Sequence, residues 1–315
     1  MKITLSITVI IFLSLNITEK ALAVNPWPAE AWTSAVTFTH LNPDFRNNMS
    51  GACWNPNKQI FWVCRNGGPS AFWALKYNNA GGLMIATNDS GKQAGYDLKG
   101  GDLEAICQVD YDTDIVFLML EKRNLIRKYN VATYGKASLK MQWDISEYVP
   151  KKGGKGPEGI TFVPNESLKK EGFVNASGKP FASINGMGGL MFVAHQNGGK
   201  IYAFDLNPNN GTVDFIGAYK TSQSESSGLE FDRLTGLLYV WHNLGPNYLE
   251  ITKLSSHGEG AERRFTSVAE FVGPKSGNLE GIAIELTPMK KGRCLIVDDD
   301  NQNGAALMLF RQFNP

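Results

Sequence analysis

The 315-residue chain predicts an all-β fold, a five-bladed β-propeller, on three observations. A short signature, a carboxylate or hydroxyl followed by a small residue and then apolar strand formers, recurs five times: Ser50-Gly51-Ala52, Glu104-Ala105-Ile106, Glu158-Gly159-Ile160, Ser227-Gly228-Leu229 and Glu280-Gly281-Ile282. The anchors lie 54, 54, 69 and 53 residues apart, a period that suits one four-stranded blade. Glycine at 33 residues, with Asn-Gly, Gly-Gly and Asn-Pro pairs between apolar runs, supplies the tight turns such a period needs.

Taken in order, residues 32–40 alternate and are rich in β-branched and aromatic side chains, which predicts a strand ahead of the first anchor. The first unit then predicts strands over 51–54, 59–64, 71–77 and 81–87. The second predicts 104–109, 115–120, 124–129 and 139–143; the third begins at Glu158 and continues through 190–194, 200–205 and 212–219. An insertion between Pro164 and Gly189 explains the longer 69-residue spacing. The fourth unit predicts 227–232, 237–241, 247–254 and 267–271, and the fifth only three strands, 280–285, 293–297 and 306–313. One spare strand at the start and one missing at the end predict that the N-terminal strand completes the last blade, which removes the largest unpaired edge.

The N-terminus reads as an export signal over residues 1–23: Lys2, an apolar stretch over 3–15, and Ala21-Leu22-Ala23 as a small-x-small cleavage site. Ser6, Thr8 and Ser14 interrupt that stretch, and it is shorter than the roughly 20 residues a spanning helix needs. The expectation is one propeller domain over 24–315, periplasmic or secreted, monomeric, with no transmembrane segment. Its net charge of +1 excludes bulk nucleic-acid binding. Cys53, Cys64, Cys107 and Cys294 fall at strand positions; buried thiols are expected, although an exported chain permits disulfides.

In a propeller the first strand of each blade lines the central channel, so Ser50, Glu104, Glu158, Ser227 and Glu280 form an inner ring. Carboxylates converging on a narrow channel repel unless something compensates. Calcium does so with 6 to 8 oxygen ligands at flexible geometry, whereas five separate blades are poorly suited to the octahedral demands of magnesium. The alternative is a water-filled channel whose glutamates bond to backbone amides. A second ring, read at the ends of the second strands, is Arg65, Glu121, His195, His242 and Asp298, a candidate ligand-binding rim.

The Glu-Gly-Ile anchors, the Leu238-Tyr239-Val240 type of second strand and the Glu121-Lys122-Arg123-Asn124 turn resemble the SdiA-regulated bacterial proteins, which are similar to NHL-repeat propellers. The resemblance spans residues 49–313 and implies a five-bladed propeller with bound calcium. The Ser, Glu, Glu, Ser, Glu order of the inner ring is also similar to that of the calcium-activated nucleotidases (apyrases), and Met49-Ser50-Gly51-Ala52-Cys53-Trp54 to one of their blade starts. Their nucleotide-binding acidic and basic residues have no counterpart placed on this chain.

Other motifs carry weaker chemistry. His195 and His242, ending second strands of adjacent blades, are candidates for general-base work beside a metal, and Arg65 is a further catalytic candidate with no role assigned. Residues 298–304 are acidic and Gly-terminated but lack the closing glutamate of an EF-hand. Lys151, Lys152 and Lys155 among glycines form a loop able to meet an anion. Trp62, Trp73 and Trp241 are readable as core or as the edge of a groove. Two function classes follow: a binding or scaffold propeller that presents one face to a small polar molecule, glycan or protein, and a calcium-dependent hydrolase of a phosphoester, nucleotide, ester or lactone. The expectation favours binding, because an ion held by several blades leaves few positions for substrate.

Overall fold

A computed structural model describes residues 23–98, 101–150, 155–275, 277–287, 291–299 and 306–315. The predicted signal segment up to Leu22, Lys151, Lys152 and most of the 298–304 loop lie outside the described residues. No described helix is long and apolar enough to cross a membrane.

The chain is all-β and folds as a five-bladed propeller. Two short N-terminal strands, β1 (Val24–Asn25) and β2 (Val36–Thr37), precede the first blade. Blade 1 is β3 (Met49–Asn55), β4 (Ile60–Arg65), β5 (Ser70–Tyr77) and a fourth edge split into β6 (Leu83–Ile85) and β7 (Gly95–Leu98), both pairing with β5. Blade 2 is β8 (Leu103–Cys107), β9 (Ile115–Leu120), β10 (Leu125–Thr133) and β11 (Lys136–Asp144). Blade 3 is β12 (Pro157–Pro164), β13 (Gly189–His195), β14 (Lys200–Leu206) and β15 (Val213–Lys220). Blade 4 is β16 (Gly228–Asp232), β17 (Leu237–His242), β18 (Tyr248–His257) and β19 (Arg264–Val272). Blade 5 is β20 (Leu279–Leu286), β21 (Gly292–Asp298) and β22 (Leu307–Phe313), completed by β2, which pairs antiparallel with β22.

Every blade is buried on both faces, so its middle strands are nearly continuous apolar runs whose alternate residues serve different interfaces. In β9, Val116, Leu118 and Leu120 pack toward blade 1 while Phe117 and Met119 pack toward blade 3. Five such cores fill the five blade-to-blade interfaces, the last joining blade 5 to blade 1. The inner strands touch in the cyclic order β3, β8, β12, β16, β20 and back to β3.

The repeated glycine has a packing reason. A Cβ at Gly51 would lie 2.6 Å from the Glu104 carbonyl oxygen, at Gly159 2.5 Å from that of Ser227, at Gly228 2.7 Å from that of Glu280, and at Gly281 2.7 Å from that of Ser50. Each signature glycine therefore accepts the next blade's anchor backbone, and the sequence runs around the whole ring; only blade 2 carries Ala105 instead.

The N-terminal segment differs from the predicted strand over 32–40. Only Val36–Thr37 pair, and Trp32–Ser34 form a 3-10 turn. Trp32 leaves the sheet edge because its ring packs 4.7 Å from Trp27 and 4.7 Å from Phe310, in a cluster that includes Trp241. Upstream, β1 pairs in parallel with β19, so the segment straps blade 4 to blade 5. Deleting residues 24–45 is expected to expose the β22 edge and cost at least about 3 kcal/mol, the scale of losing one buried Phe such as Phe45, with reduced solubility. An unchanged melting temperature would contradict closure by this strand.

The insertion forms a helix, α1 (Asn165–Lys170), and packs Phe173 5.7 Å from Phe192 and 5.4 Å from Tyr219. Trp62, Trp73 and Trp241 are all buried in the core. All four cysteines are buried free thiols.

Candidate metal centre

The inner ring converges because of a local irregularity in the strands. In β3, β8, β12 and β20 the pairing register slips between Met49 and Gly51, Leu103 and Ala105, Pro157 and Gly159, and Leu279 and Gly281. The residue skipped is the anchor in each case: Ser50, Glu104, Glu158 and Glu280. A β-bulge places one extra residue in the strand and re-aims its side chain, here toward the propeller axis. Blade 4 has no such slip, and its anchor behaves differently: Ser227 precedes β16, and both its backbone N–H and its hydroxyl donate to the Trp241 carbonyl, at 2.9 and 3.3 Å. Ser227 is thus bonded back to the second strand of its own blade.

Glu104, Glu158 and Glu280, from three blades, each offer a carboxylate oxygen within 4.8 Å of the others. They are only 3, 5 and 5% exposed. Ser50 Oγ lies 2.5 Å from Glu104 Oε2 and 2.8 Å from Glu280 Oε2. A serine hydroxyl has one proton, so it can donate to only one of these carboxylates. The second contact requires a proton on the other acid or a cation between them. Asn66 donates to Glu104 Oε2 at 3.2 Å and Asn278 to Glu280 Oε1 at 2.9 Å, but among the described residues no Lys or Arg forms an ion pair with the cluster.

The electrostatics follow. Burial pushes the Glu104 carboxyl up to about 7 despite the Ser50 hydrogen bond. Burial, then the charges of Glu104 and Glu280, hold Glu158 well above the ordinary carboxylate range; burial, then Asp299 and Glu104, do the same for Glu280. Ser50, Glu158 and Glu280 border a void along the axis that admits the centre of a water-sized sphere over about 10 Å³, room for one water or one ion. Asp102 and Glu121 extend the acidic surface outward, each with an oxygen within 4.8 Å of Glu104 and of the other. Burial and the neighbouring Asp102 raise the Glu121 pKa.

The second ring is not an open rim. His195 is fully buried; its Nδ1 accepts from the Asn197 backbone N–H at 3.0 Å, so Nε2 carries the proton and donates to the Pro150 carbonyl at 3.0 Å. Burial lowers its pKa. His242, also fully buried, has Nδ1 2.6 Å from the Glu225 carbonyl oxygen and Nε2 3.1 Å from Glu250 Oε2. Both candidate bases are therefore held by partners inside the fold. Asp298 is fully buried, and Arg65 pairs with Asp44 at 3.2 Å. Glu121 is the ring member that stays beside the carboxylate cluster.

The reason is one residue of register. Side chains at the ends of second strands alternate, so in blades 1, 4 and 5 the residue after the ring position faces the axial cluster. Asn66 follows Arg65 and bonds Glu104; Asn243 follows His242 and donates to Asn278 Oδ1 at 2.6 Å; Asp299 follows Asp298 and accepts from Asn278 Nδ2 at 3.0 Å. The recurrence of an amide or carboxylate one place beyond each strand end was a signal present in the sequence. Of the lysine loop, Lys155 is described and forms an exposed ion pair with Glu225.

No protein-family model matches the chain, and no curated protein matches it. Among solved structures it is similar to Raptor from Chaetomium thermophilum, with a TM-score of 0.43 and 10% identity over 80% of this chain and 19% of that one. The chain spans about a fifth of the length of that protein.

Proposed function

We propose that the protein is an exported calcium-binding propeller of the SdiA-regulated type, whose ion locks the blades and supports binding of a polar ligand, glycan or protein on the channel face. The observation that carries this reading is the meeting of three buried carboxylates from three blades without a basic partner among the described residues. Such a set is costly alone and fits a hard cation with oxygen ligands. Glu104, Glu158 and Glu280 would hold the ion, with the Ser50 hydroxyl as a neutral oxygen ligand. When bound, the ion supplies positive charge at the convergence point. The chain's own contribution is to hold four oxygen donors rigidly by bulges, with Asn66 and Asn278 fixing two of the carboxylates. Export places the chain where calcium is abundant, so even a weak site of the extracellular kind, with a dissociation constant on the order of 10⁻⁴–10⁻³ M, fills.

Binding is favoured over turnover because His195 and His242 have both ring nitrogens engaged inside the fold. The test is calorimetric titration of chelator-stripped protein with calcium and, in parallel, magnesium. One saturable calcium site, lost in the Glu104→Gln, Glu158→Gln double variant, is expected. Calcium binding that survives in that variant would place the ion elsewhere. Calcium-dependent turnover of a nucleotide, phosphoester or lactone, abolished by His195→Ala or His242→Ala in folded protein, would overturn the binding reading.

A further inference from the structure

Away from the channel, a cleft of about 610 Å³ opens between the blade 3 insertion and the outer turn of blade 4. One wall is Ala176-Ser177-Gly178 and the other Ser256 to Gly260, with Arg263 between them. The feature that matters is the state of Arg263. Its side chain is only 7% exposed, and among the described residues its Nε has no hydrogen-bond partner and it forms no ion pair. A buried guanidinium without an anion is strongly disfavoured, and the great majority of such groups are paired.

One arm of the fork stands against the cleft wall at Gly178. Arg263 Nη2 lies 3.0 Å from where a Cβ on Gly178 would stand, so the missing side chain at 178 leaves the guanidinium uncovered. Gly178 is held there by an Asx turn, in which Asn175 Oδ1 accepts from the Ser177 and Lys179 N–H groups, each at 3.0 Å. On the facing wall, Ser256 Oγ is also buried without a hydrogen-bond partner among the described residues. Arg263 and Ser256 line the same volume, and Ser177 adds an exposed hydroxyl at its mouth. Glu259, the one acidic residue lining the cleft, is exposed at its rim.

We infer that this cleft is a binding site for a tetrahedral oxyanion, a phosphate or sulfate group either free or carried on a small molecule, with Arg263 as its charged donor and Ser256 as a second donor. Arginine matches such groups through two parallel N–H donors. The site is independent of the axial cluster, since no residue is shared.

The test uses the mature chain with chelator present, so that calcium neither precipitates phosphate nor contributes. Binding of inorganic phosphate, sulfate, a sugar phosphate and acetate is measured at constant ionic strength by calorimetry and melting temperature. Saturable binding of phosphate or sulfate is expected, weakened about tenfold or more in Arg263→Gln, with a smaller loss in Ser256→Ala. A sugar phosphate binding more tightly than the inorganic ion identifies a carried group; equal affinity identifies the free ion, and either outcome supports the site. In anion-free buffer Arg263→Gln is expected to melt no lower than wild type, because it removes an unpaired buried charge. A purely structural arginine would instead melt lower in every buffer. Should Arg263→Gln fail to fold, Gly178→Asn, which covers the fork with a residue that tolerates positive φ, is expected to lose phosphate binding while keeping the fold. Absence of saturable phosphate and sulfate binding, binding unchanged in these variants, or acetate bound equally well would each overturn the inference.

Discussion

Chelating calcium at about pH 8 is expected to lower the melting temperature by about 5–10 °C. An ion at a hundredfold excess over its dissociation constant stabilises the native state by about 2.7 kcal/mol, and a domain of this size shifts by a few degrees per kcal/mol. The pH dependence gives the prediction its sign. Glu104, pushed up to about 7, keeps its proton in the folded chain while the unfolded carboxyl, near 4.3, has lost it. The folded state then binds more protons, so stability of the ion-free protein falls as pH rises from about 4.3 through 7. Glu158 and Glu280, also raised, extend that loss upward. Calcium at the proposed site would compete with those protons, so its effect should be small near pH 5 and larger near pH 8. Thermal scans with calcium or chelator at both values check this. In chelator at pH 8 the Glu104→Gln, Glu158→Gln variant should melt higher than wild type, since the buried Glu104 charge and its repulsion of the neighbouring carboxyls are gone. A calcium effect equal at both pH values, or retained in the variant, would remove the axial carboxylates from the explanation.

Adding one methyl group at the blade junctions should be strongly damaging for so small a change. Gly159→Ala and Gly281→Ala place a Cβ 2.5 Å from the Ser227 carbonyl oxygen and 2.7 Å from that of Ser50. Those atoms belong to the neighbouring inner strands, which cannot rotate aside as a flexible side chain would. Each substitution is expected to cost about 3 kcal/mol, at the upper end of overpacking penalties, and to lower calcium affinity by moving the anchor beside it. Ala105→Gly, the reverse change in blade 2, should cost no more than about 1 kcal/mol. Denaturant unfolding of the three variants measures these values. Wild-type stability in both alanine variants would mean that the blades are less tightly joined than the structure shows.

How much of the site was legible depends on the kind of signal. Glu104, Glu158 and Glu280 were readable because they recur at a fixed place in a repeat, and repetition is visible without any knowledge of packing. His195, His242 and Asp298 were misplaced, and Asn66, Asn278 and Asp299 missed, because strand ends alternate between two faces. Near a strand end, one residue of offset exchanges the axial side for the blade interior. Residues 32–40 were over-extended as a strand for a related reason: alternation was present, but Trp32 found a better partner in the aromatic cluster than at the sheet edge.

By itself the sequence determined the number of blades, the order of their strands, the sharing of the last blade between both termini, and the identity of the carboxylates on the axis. These are consequences of local periodicity and of spacing along the chain, which survive without coordinates. Only the tertiary structure decided which anchors turn inward, because a bulge is defined by the partner strand opposite it. It alone showed that both histidines are held inside the fold and that Arg263 is buried without an ion-pair partner among the described residues. Burial and pairing are properties of what surrounds a residue, and the surroundings of Arg263 come from an insertion about 80 residues earlier in the chain.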